Sequence, residues 1–111
     1  MTNHTRRPRG RAVAFRHQQH ELLLLEELRT LFRIELIDPR LISITIVAAQ
    51  LSADGSTARV VYAQRLEDPD LEEALERASG FLRARLAESL HWKRTPRLKF
   101  ISLGVVARGA S

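Results

Sequence analysis

Apolar side chains recur at helical spacing early in the chain: Leu25, Leu28, Phe32 and Leu36, with Leu24 and Leu31 widening the stripe. Steps of three and four put them on one face of a helix predicted over 11–36. Asp38-Pro39 ends that helix, because the residue before a proline is pushed out of the α region. The period then changes to two. Ile42, Ile44 and Ile46 alternate with Ser43 and Thr45, which predicts a half-buried strand over 41–51. Ser52-Ala53-Asp54-Gly55-Ser56 reads as a hairpin turn in which Gly55 can take positive φ. A second strand over 57–65 should pair antiparallel with the first.

Asp68-Pro69 opens another helix, as an N-cap followed by the residue favoured at the first helical position. Its stripe is Leu71, Leu75, Ala78, Leu82, Leu86 and Leu90. Gly80 lies inside that helix, where glycine costs about 1 kcal/mol relative to alanine, so a kink or break is expected there. Pro96 precedes a last strand over 97–106. The polar, basic residues 1–10, with Pro8, read as a mobile arm, and 107–111 as a short tail. The resulting order is α-β-β-α-kink-α-β. It describes a single α+β domain over 11–106, with a three-stranded sheet covered on one face by helices.

The length of 111 residues suits one domain, and 44% hydrophobic residues suffice for a core. With no cysteine, a disulfide framework, a thiolate metal site and a cysteine nucleophile are all excluded. The longest apolar runs, Leu22 to Leu25 among them, fall far short of the roughly 20 residues a membrane helix needs. No apolar segment follows the basic start as a secretory signal requires, so a cytoplasmic protein is expected. The net charge of +5 is unevenly placed: +5 over 1–20, −4 over 21–86 and +4 over 87–111. Basic ends around an acidic middle point to a polyanionic partner.

Candidate catalytic chemistry is sparse. His17, His20 and Glu21 can share one helix face, but a zinc site needs further ligands, and a solvated polar face is the better reading. Glu72, Glu73 and Glu76 fall in the opening turns of a helix, where the dipole and solvent stabilise negative charge without any catalytic role. The chain has no nucleophile elbow, phosphate-binding loop or dinucleotide fingerprint. The expectation is a binding protein: no enzyme, no metal, no cofactor and no small-molecule substrate.

Two positions carry sharper alternatives. Gly80, with Arg77 on the face away from the apolar stripe, either lets a sugar–phosphate backbone approach closely or merely bends the helix to the sheet. Trp92, beside Lys93 and Arg94, either stacks on a base or anchors the helix end, and a large ring that needs cover favours the anchor.

Several segments, taken in order, resemble the ribosome-binding factor A family. They are Ile37-Asp38-Pro39-Arg40-Leu41, Leu51-Ser52-Ala53-Asp54 leading to Ala58-Arg59-Val60-Val61-Tyr62, the run from Ala74 to Arg83, and Pro96-Arg97-Leu98-Lys99-Phe100. The resemblance covers about residues 11–104. It implies a KH-like fold of the second topological kind, with Ala78-Ser79-Gly80 as a kink where other KH domains carry a Gly-x-x-Gly loop. It also implies a non-enzymatic factor for late maturation of the small ribosomal subunit, linked to growth in the cold. Such a factor binds free or immature subunits through ribosomal RNA and leaves before the subunits join. A generic KH-type RNA-binding module and a small protein-interaction domain are the alternatives.

On that reading one positive face grips ribosomal RNA. Arg77, Arg83 and Arg85 flank the kink formed by Ala78, Ser79 and Gly80. Lys93, Arg94, Arg97 and Lys99 extend the patch, and Arg6, Arg7, Arg9 and Arg11 clamp from the arm. Either Arg83 or Arg85 can instead cover the core with its methylene stem. A monomer is expected.

Overall fold

The computed structural model describes the backbone of residues 3–36, 38–41 and 43–105, and the side chains of those from residue 15 onward. Helix α1 spans Asn3–Thr30, and its last turn widens to π-type bonding over Leu31–Glu35, with Leu36 N–H donating to the Leu31 carbonyl at 3.1 Å. A short 3₁₀ turn, Pro39–Leu41, leads into strand β1, Ile44–Leu51. Strand β2, Thr57–Gln64, helix α2, Leu71–Leu90, and strand β3, Arg97–Val105, complete the domain. The sheet order is β1-β2-β3, with β1 and β2 antiparallel and β2 and β3 parallel. A parallel neighbour needs a crossover, and α2 supplies it. The fold is α+β and KH-like, as expected.

Three expectations are corrected. First, helical backbone starts at Asn3 rather than near Arg11. Pro8 falls at the sixth position of that helix, past the first turn, so the helix runs through it with one intrahelical bond missing, its fixed φ being itself helical. The side chains of Arg6, Arg7, Arg9 and Arg11 lie outside the described residues, as do Ile42 and the tail from 106. Second, α2 begins at Leu71, and Asp68 forms a turn ahead of it. Its carboxylate accepts the Asp70 N–H at 2.9 Å and its carbonyl the Leu71 N–H at 3.2 Å. Third, helical bonding runs through Gly80 without a break. Burying one leucine contributes about 1.5–3 kcal/mol, and Leu75, Leu82 and Leu86 are all buried in phase. That outweighs the roughly 1 kcal/mol cost of one glycine.

The core lies between the two helices and one face of the sheet. Leu24, Leu28 and Leu31 of the first helical segment meet Leu71, Ala74, Leu75, Leu82 and Leu86 of α2 over Ile46, Ala49, Ala58, Val60 and Tyr62. The α1 stripe is therefore centred on Leu24, Leu28 and Leu31, with Leu25, Phe32 and Leu36 at its margin. In β1 the alternation shifts phase at a bulge between Ile46 and Ala48, so Ile46 and Ala49 both face inward. Arg29 donates its Nε–H to the Ile46 carbonyl beside that bulge, at 3.0 Å. The hairpin forms as expected. Gly55 takes φ 74°, and Asp54 Oδ1 accepts from the Ser56 N–H and from the hydroxyls of Ser52 and Ser56.

Candidate nucleic-acid interface

Strand alternation sends Leu98 and Phe100 of β3 toward the core and turns Arg97 and Lys99 to the uncovered face of the sheet. In β2, Ala58, Val60 and Tyr62 are buried, so Arg59 and Val61 share that open face. Register then places Gln50, Arg59 and Lys99 side by side across all three strands. Ala48, Val61 and Ile101 form the next row. Neighbouring strands lie about 4.8 Å apart, so Arg59 and Lys99 hold two positive charges close together on one surface. Arg59, Arg97 and Lys99 are exposed, and among the described residues none of them makes an ion pair. The loop 91–96 leads into Arg97 and exposes Lys93 and Arg94.

The arginines of α2 are placed differently. Arg77 is ion-paired with Glu73 one turn earlier. Arg83 donates to the carbonyls of Thr95 and Pro96, both at 3.2 Å, and so fastens the 91–96 loop to the helix. Arg85 bonds the carboxylate of Glu35, with 2.8 Å from its Nε, and that of Glu88 at 2.9 Å. The bond to Glu35 is the main cause that raises the Arg85 pKa above its ordinary value. Ala78 packs against the core, Ser79 is half-buried, and Gly80 faces open space, where an added Cβ meets nothing within 4 Å. α2 lies on the covered side of the sheet, so Arg77, Arg83 and Arg85 stand apart from the row of Arg59 and Lys99, and Ser79 and Lys99 come together only in a groove beside β3. The missed residue is Arg59. Its signal was present in the alternation of Ala58, Val60 and Tyr62, which forces Arg59 onto the same face as Lys99.

His17 and Glu21 are not a solvated face. Glu21 accepts the Leu51 N–H at 2.7 Å and His17 Nε2 bonds the Leu51 carbonyl at 3.1 Å, so the pair clamps the end of β1. His20 stacks on Trp92, ring centroids 4.7 Å apart, and Trp92 packs against the core as an anchor.

The family model for ribosome-binding factor A matches residues 16–110. The chain belongs to the ribosome-binding factor A family. A family member from Methylobacillus flagellatus is 37% identical over 84 residues, which are 75% of this chain and 67% of that protein. The crystal structure of ribosome-binding factor A from Thermus thermophilus superposes with a TM-score of 0.72 at 35% identity, covering 78% of this chain and 93% of that one. A Thermus thermophilus homology model fitted into a cryo-EM map of a 30S complex gives a TM-score of 0.65 at 33% identity, covering 81% of this chain and 93% of that one. Among the described residues no helix is long and apolar enough to cross a membrane.

Proposed function

We propose that this chain binds the small ribosomal subunit through ribosomal RNA laid along the open face of its sheet. Arg59, Arg97 and Lys99 contact phosphates, with Lys93 and Arg94 extending the track. The supporting observation is the cluster of Arg59, Arg97 and Lys99 on an uncovered sheet face, none of them ion-paired among the described residues. The Thermus relative in a 30S complex supports the choice of partner. An arginine without a counter-ion gains a phosphate contact without breaking an existing pair, which favours these groups over the paired arginines of α2. Arg6, Arg7, Arg9 and Arg11 add positive charge early in the chain. The step is late maturation, on free or immature subunits, with departure before subunit joining. The chain acts as a cytoplasmic monomer without catalysis.

Sedimentation of a cell extract through a gradient at moderate salt tests this. Co-migration with free small subunits and absence from joined ribosomes is the expected result. Migration only as a small free protein, even at low salt, overturns it.

A further inference from the structure

The far side of β3 has the opposite charge. β3 is the last strand of the sheet, so among the described residues one of its sides has no strand partner. Arg97 N–H donates to the Ser56 carbonyl at 2.9 Å, toward β2. Alternation along the strand then turns the backbone N–H and C=O of Leu98 and Phe100 to the free side. Beside that edge lies a groove of about 400 Å³, with Leu75, Leu98 and Phe100 as an apolar floor and Glu72, Glu76, Ser79 and Lys99 around it. It shares Glu72 with a second hollow of about 500 Å³ whose wall includes Glu67, Asp68 and Ser102. Four carboxylates, Glu67, Asp68, Glu72 and Glu76, thus line the two hollows. Among the described residues none of the four makes an ion pair.

We propose that this groove binds an extended protein segment rich in lysine and arginine, which adds to β3 as a fourth strand. The free edge supplies main-chain hydrogen bonds. Every second side chain, a lysine or arginine, lays its methylene stem on the floor and its charge against Glu67, Asp68, Glu72 or Glu76, while the residues between turn to the open face. A nucleic acid fits poorly, since its phosphates would lie against those carboxylates. A second copy of the chain fits poorly too, because β3 against β3 sets two pairs of Arg97 and Lys99 together. Apart from Lys99, which borders both, this site is separate from the cationic sheet face and does not depend on the function proposed for it.

The full-length chain is titrated with a synthetic peptide of about ten residues alternating lysine and valine, long enough for one added strand. Amide shifts over 72–79 and 97–102 are expected, with hydrogen exchange slowed at Leu98 and Phe100. Paired Glu72→Lys and Glu76→Lys substitutions, both at exposed positions, should weaken binding by about tenfold or more. An unchanged melting temperature confirms that the variant is folded. A peptide alternating glutamate and valine should not bind. Shifts confined to Arg59 and Val61, unslowed exchange at Leu98 and Phe100, or equal affinity in the double variant overturns the proposal. So does a single-stranded RNA that occupies the groove in place of the peptide.

Discussion

The arginines of α2 and the cations of the sheet look alike in the sequence and differ in the fold. Arg77, Arg83 and Arg85 are each bonded to a carboxylate or a carbonyl. Arg59, Arg97 and Lys99 make no ion pair among the described residues, although they stand on strands of the same small domain. A helix places residues four apart together, so Glu73 reaches Arg77 almost by default. A strand separates like neighbours onto two faces, and the open face of this sheet carries cations without acids. Counter-ion supply, more than the number of basic residues, separates structural cations from those free to meet a partner.

The strongest way to break this comparison is charge reversal. Combined Arg59→Glu and Lys99→Glu should weaken binding to a single-stranded RNA by about tenfold or more at moderate salt, with stability changed by less than about 0.5 kcal/mol. A retained affinity would remove the sheet face from the interface. The salt dependence sharpens the same point. About five phosphate contacts give a slope of log affinity against log salt near −3 to −4, which a binding series from low to high salt measures. Salt-insensitive binding would sink the electrostatic account.

Arg85→Ala should act the other way, lowering the melting temperature by a few degrees while leaving RNA affinity within about twofold. Calorimetry beside the same RNA assay decides it, and a large loss of affinity would put Arg85 in the interface. Gly80→Ala should stabilise the protein by about 0.5–1 kcal/mol, because the position is interior to an unbroken helix and the new Cβ meets open space. Thermal melting reads that gain. An RNA loss with the gain in stability would instead support close backbone approach at Gly80.

The smallest effect concerns pH. Hydrogen bonds from Ser56, first from its N–H, hold Asp54 at about 2, below its ordinary 3.8. Its contribution is therefore fully present above about pH 4 and lost as pH falls toward 2. An Asp54→Asn variant should show a shallower loss of stability across that window in acid titration.

Much of the architecture was legible in the sequence because it depends on local periodicity. The stripe from Leu71 to Leu90, the alternation of Ile44 and Ile46, and the turn at Gly55 each specify an element from near neighbours alone. Where local rules conflicted with burial, burial prevailed. Gly80 argued for a break, yet the in-phase leucines on both sides hold α2 together. His17 and Glu21 suggested a wet face, and their bonds to Leu51 join positions 34 and 30 residues apart. No local pattern announces such bonds.

By itself the sequence determined the order of elements, the apolar stripes, the basic ends and the family. Only the tertiary structure decided which cations remain available. The neighbours of Arg83, Arg85, Arg59 and Lys99 come from distant segments: the 95–96 carbonyls, Glu35, and strands brought into register. Electrostatic pairing depends on distance through space, and folding sets that distance after spacing along the chain has chosen the elements.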